Sequence, residues 1–143
     1  MHHIAIMKKS WGFIEKILIG EKVIESRWYV SKVAPWGKVQ KGDIVFFKNS
    51  GELIIVKAEV KKVFQFVDLD PNKVREILVE FGKDIGIESE NLDAFFELVK
   101  NKKYCILIFL KNPQKIEPFQ INKKGFGMMS AWLVVEDVEK IQQ

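Results

Sequence analysis

The chain has 143 residues, 48% of them hydrophobic and 29% charged, which fits one folded domain, residues 1–143, around a single core and excludes a disordered segment. No window approaches 18 uncharged apolar residues, so neither a membrane span nor a membrane partner is expected, and the short apolar patch near the N-terminus falls short of a signal-peptide core. The single cysteine, Cys105, excludes an internal disulfide and fits a reducing, cytoplasmic setting.

The net charge of +4 is unevenly spread. Residues 1–62 carry 12 Lys/Arg against 6 Asp/Glu, residues 63–103 carry 6 against 9, and residues 104–143 carry 5 against 4. A basic first half suits a phosphate-bearing ligand, and a Lys/Glu-rich solvated surface reads equally well.

In chain order, Ile4–Met7 reads as a first strand. In "SWGFIEKILIG", Ser10 can cap a helix, Trp11, Ile14 and Leu18 follow helical spacing on its apolar face, and Gly20 can end it. Lys22–Val30 favours a strand, with Val23, Glu25, Arg27 and Tyr29 on one face and Ile24, Ser26 and Trp28 on the other. Parity then points Lys22 away from Glu25 and Arg27 unless the strand begins with a bulge. "APWGKVQKGD" is a loop before the strand Ile44–Lys48, and "KNSGE" is a hairpin-type turn. A long strand follows, with Ile54, Val56, Ala58 and Val60 on one face. Its alternation breaks at Lys62 and resumes at Phe64, which predicts a bulge.

Two helices come next. Asp70 and Pro71 signal the first, with Val74, Ile77, Leu78 and Phe81 as its apolar stripe. Leu92, Phe95, Phe96 and Val99 trace the second, with Ser89 as its cap and Lys100, Lys102 and Lys103 at its cation-favouring end. "YCILIFLK" is apolar on both faces and predicts a buried central strand. Segments at Ile116–Ile121 and Ala131–Val135 add further strand, with "GFGMMS" as a turn between them. The whole fits an α+β fold, a small barrel of five or six strands with inserted helices.

No metal or cofactor is expected. His2 and His3 are adjacent, being either an added remnant or ordinary terminal residues, and Cys105 lies in a buried strand, where an inert thiol is the ordinary state. No phosphate-binding or nucleophile-elbow motif occurs. The remaining candidates are charges and aromatics of the first half: Lys8, Lys9, Trp11, Lys22, Glu25, Arg27, Trp28 and Trp36. Cations neutralise phosphates and indole faces stack on bases. Core packing for Trp11 and Trp28, and cross-strand pairing for Glu25 and Arg27, are the competing structural roles.

"GEKVIESRW" resembles the G-x-K-x-x-E-x-R signature of the ASCH domain, a family of the PUA-like superfamily of small β-barrels. "HIAIMKKSWGFIEKILIG", "KGDIVFF", "VKAEVKKVFQF", "YCILIFLK" and "SAWLVV" are similar, in order, to its other strands and first helix, leaving 67–102 as a variable helical insertion. The resemblance implies a cleft between the first helix and neighbouring strands that binds RNA or a nucleotide. Lys22, Glu25 and Arg27 hold the signature positions, with Lys8, Ser130 and Trp132 beside the cleft. Small amidohydrolases of the family act on acylated cytidine with a lysine followed three residues later by a threonine. Here Glu25 stands in the threonine's place, and a carboxylate does not substitute for that hydroxyl. A hydrolase acting on a modified nucleoside or RNA through Lys22 and Glu25 is the alternative to a binding module. A protein-docking adaptor, of the kind found in transcription coactivators, is a further one.

Overall fold

The computed structural model describes residues 1–127 and 129–143; Met128, in the expected "GFGMMS" turn, lies outside the described residues. The strands are β1 (His2–Met7), β2 (Ile24–Tyr29), β3 (Ile44–Asn49), β4 (Ile54–Phe66), β5 (Tyr104–Phe119) and β6 (Trp132–Val135). They form one mixed sheet in the order β2-β5-β4-β3-β1-β6. All neighbours are antiparallel except β1 and β3. A parallel pair needs a long crossover, and this one carries helix α1 (Phe13–Leu18) and places β2 at the far edge of the sheet.

The sheet curls into a half-barrel, an α+β architecture. Inside it Ile14 and Ile17 of α1 pack with Phe47, Val56, Val60 and Ile106. Outside it α2 (Pro71–Ile85) and α3 (Leu92–Val99) cover β2 and β5, where Val74, Leu78 and Phe95 meet Ile24, Cys105 and Leu107. That double burial explains the unbroken apolar run of β5. A third cluster seats Ile4, Phe46 and Leu133.

Several local expectations hold. The Asp70 side chain accepts a hydrogen bond from the Lys73 backbone at 2.8 Å, with Pro71 in the first turn. The β4 register shifts between Val60 and Lys62, where the alternation breaks. Others need correction. Ser10 lies in a 3-10 turn, Lys9–Trp11, and α1 begins only after Gly12, whose φ of 66° interrupts the helix. Trp11 is thereby swung off the apolar stripe and is 40% exposed. Ser89 likewise opens a short 3-10 turn and caps nothing. Ile116–Phe119 continues β5 and does not form a separate strand. His3 is a fully buried member of β1. Among the described residues, no helix is long and apolar enough to cross a membrane, and no three potential metal ligands cluster.

Candidate functional site

The entry to β2 is built from a turn that buries a lysine. Residues 20–23 fold back against the end of α2, where the Val23 backbone donates to Asp84. Lys22 passes beneath, against Gly86, where an added Cβ would lie 3.2 Å from the lysine stem. Lys22 is 1% exposed, and its ammonium donates to the carbonyls of Ile24 at 2.7 Å and Ile85 at 2.5 Å. Its third partner is Glu25 Oε1 at 3.0 Å, so its three hydrogens are all used. The ring of Phe13 lies 4.2 Å away. The parity expectation for Lys22 fails because β2 starts only at Ile24. Lys22 lies before the pleat, and its side chain is free to reach Glu25.

Glu25, 3% exposed, is held from both sides. Its Oε2 accepts from Arg27 Nε at 3.0 Å and Nη2 at 2.8 Å. Burial by itself would push the Glu25 carboxyl up, but Lys22 and Arg27 together hold it below the usual carboxylate range. Burial lowers Lys22 from the ordinary lysine value, with Glu25 opposing. The result is a continuous Lys–Glu–Arg row joined by two ion pairs.

Arg27 then spans the opening of the half-barrel. From β2 at one edge it donates through Nη2 to the Ile6 carbonyl of β1 at 3.4 Å, and through Nη1 to the Ala131 carbonyl at 3.3 Å. Its guanidinium lies 5.2 Å from the Trp132 ring. The two edges of the sheet are thus bridged by a side chain, and the gap between them is a cleft of about 570 Å³. Trp11, Phe13, Trp28, Tyr29, Phe95 and Trp132 give it an aromatic lining, to which Lys8, Arg27 and Lys102 add three cations against the one carboxylate of Glu25. Ser130 Oγ donates to the Phe126 carbonyl at 2.6 Å, leaving its lone pairs as acceptors.

The wall at Trp132 is fixed from behind. Trp132 Nε1 donates to His3 Nδ1 at 3.1 Å, and His3 Nε2 meets Asp43 Oδ2 at 2.8 Å. An indole nitrogen only donates, so Nδ1 is unprotonated and His3 is neutral, its Nε2–H given to Asp43. Burial lowers the His3 imidazole below its ordinary value, and Asp43 only partly offsets this.

Of the sequence-selected residues, Lys8, Trp11, Glu25, Arg27, Trp28, Ser130 and Trp132 all line the cleft, whereas Lys9 pairs with Glu52 at 2.6 Å. Lys22 lies beneath it, holding Glu25. Trp36 lies away from it, edge-on to Tyr104 at 5.3 Å. Trp28 reaches the cleft from the face opposite Glu25 because β2 is an edge strand, so the opening wraps around both of its faces. Sequence reasoning did not select Phe13, Tyr29, Phe95 or Lys102. Their signals were present as strand parity for Tyr29 and as the apolar stripe and terminal cations of α3 for Phe95 and Lys102. What was lacking was the knowledge that α3 packs beside β2.

No family model and no curated protein matches the sequence. Solved structures do match in three dimensions. An ASCH protein from Zymomonas mobilis superposes with a TM-score of 0.67 at 14% identity, over 97% of this chain and 90% of that one. Single-substitution variants of that protein give 0.65 at 15% and 16% identity, over 97% of this chain and 93% and 91% of theirs. A hypothetical protein, 21% identical, gives 0.52 over 81% of this chain and 100% of its own.

Proposed function

We propose that this chain, whose fold is that of the ASCH domain, is a module that binds single-stranded RNA, with one nucleotide held in the cleft between the sheet edges. The observation that carries the reading is the cleft's composition. It joins indole and phenyl surfaces for stacking to two lysines, Lys8 and Lys102, that have no carboxylate partner among the described residues. A volume of about 570 Å³ lies within the span of small-ligand sites, roughly 300–1,000 Å³. Arg27 keeps N–H capacity for a phosphate or base edge, since its bonds to Ile6 and Ala131 are long. The hydrolytic alternative needs Lys22 or Glu25 free to move a proton. Lys22 has no spare hydrogen-bond direction, and Glu25 is clamped between two cations, which supports binding over turnover.

The test is fluorescence anisotropy against single-stranded RNA, double-stranded RNA and DNA at several salt concentrations. Single-stranded RNA is expected to bind best and to weaken with salt. Each of Lys8→Ala and Lys102→Ala should flatten the log–log salt slope by about 0.7. Binding that ignores salt, or no binding to any nucleic acid, overturns the reading.

A further inference from the structure

Beside the cleft lies a second recess of about 320 Å³, open on the other side of Trp11. Trp11, Phe13 and Phe95 belong to both cavities, so the Trp11 indole is the partition between them. The recess is otherwise lined by Ser10, Lys16, Glu88, Asn91, Ala94 and Leu98.

The partition is packed on two rings and still exposed. Trp11 meets Phe13 and Phe95 at 5.2 and 5.7 Å in T-shaped contacts. Even so, 40% of the residue remains open to solvent, a large apolar surface that the fold leaves uncovered. The Lys8 ammonium sits 5.7 Å from its centroid with no carboxylate beside it among the described residues. Lys16, by contrast, is already committed to the Gly86 carbonyl at 2.8 Å and to Glu88 at 3.3 Å. An indole packed on two phenyl rings, with an uncommitted cation over it and a cavity to either side, matches two successive bases separated by one phosphate. A pre-organised platform of this kind avoids much of the ordering cost of binding.

We infer that the ligand is at least a dinucleotide. One nucleotide fills the cleft, its neighbour passes over Trp11 into the recess against α3, and Lys8 takes the phosphate between them. This rests on the RNA-binding reading and adds the length and path of the strand.

The experiment is competition against a labelled RNA by mixed-sequence mononucleotides, dinucleotides and tetranucleotides, at a salt concentration high enough to suppress non-specific attraction. Dinucleotides should compete at least about tenfold better than mononucleotides, as one extra stacked base allows. Ala94→Trp fills the recess from an exposed helix position without touching the cleft, and Leu98→Glu places a repelling carboxylate there. Both should erase the dinucleotide advantage while mononucleotide competition and melting temperature stay as in the parent. Ala94→Ser, which leaves the recess open, should keep the advantage. Equal competition by mono- and dinucleotides overturns this inference and leaves RNA binding standing. So does an advantage that persists in the folded Ala94→Trp and Leu98→Glu proteins. Failure of every RNA to bind overturns both.

Discussion

Lys22 gives its ammonium hydrogens to two carbonyls and one carboxylate, and those bonds decide what the signature segment does. "GEKVIESRW" admitted either a solvated strand or a cleft lining from its charges alone. The segment divides by depth: Lys22 and Glu25 are interior, and Arg27 carries the charge to the opening. Breaking one member of such a buried pair leaves the other without its partner, at a cost of about 3–5 kcal/mol. Lys22→Met should therefore lower the urea midpoint strongly, since it also strands the Ile24 and Ile85 carbonyls. Glu25→Gln should do so less, because an amide oxygen still accepts from one cation. Lys22→Met combined with Glu25→Leu should cost less than the two single changes added together, since contacting residues do not behave independently. A Lys22→Met protein as stable as the parent would show that the pair is not structural. The depth of these residues was illegible because it depends on a turn at 20–23 docking on α2, 60 residues away in sequence.

Elements show the complementary pattern: local chemistry was readable, packing partners were not. Asp70–Pro71 announced α2, and the β4 bulge showed in the broken alternation at Lys62, because each signal lies within a few residues of its effect. The start of α1 was misread, since Ser10 and Trp11 fit helical spacing and only the left-handed Gly12 separates them from the helix. The two faces of β2 were legible, with Arg27 bonded to Glu25 on one and Trp28 to Ser26 on the other; parity did not show that α3 packs on the Trp28 face, so that both faces border the cleft. The end of α2 links element to site. Gly86 adopts φ 99° and lies against the Lys22 stem, so its conformation and its missing Cβ both shape the lysine's seat. Gly86→Ala should destabilise by about 1–3 kcal/mol from backbone strain alone. It should also displace Lys22 enough to weaken RNA binding, whereas Gly37→Ala, also at positive φ but with open space around it, should cost stability only. Equal effects of the two changes on binding would separate the α2 terminus from the site.

Across the whole molecule, the half-barrel is shut on one side by Arg27 and braced on the other by the Trp132–His3–Asp43 chain, and the second of these titrates. His3 was unreadable as a core residue because terminal histidines carry no periodic signal; its partner Asp43 comes from a "KGD" turn 40 residues on. Folding holds His3 neutral, its pKa below the ordinary value of 6.5. Between the folded and unfolded values the unfolded chain therefore binds more protons, so stability rises with pH there and falls as the solution is acidified below about pH 6.5. Protonation of Nδ1 would also set two donors face to face at Trp132 Nε1, releasing the cleft wall. Glu25 and Asp43 are likewise held below their ordinary values in the fold, so a further loss belongs near and below pH 4.5, as the unfolded carboxylates take up protons. Urea unfolding at pH 7.5, 6.5, 5.5, 4.5 and 3.5 should show both steps. His3→Gln, which can still accept from Trp132 and donate to Asp43 but does not titrate, should flatten the upper step and leave the lower one. An upper step that survives in His3→Gln would assign it elsewhere and detach the buried histidine from the stability of the cleft wall.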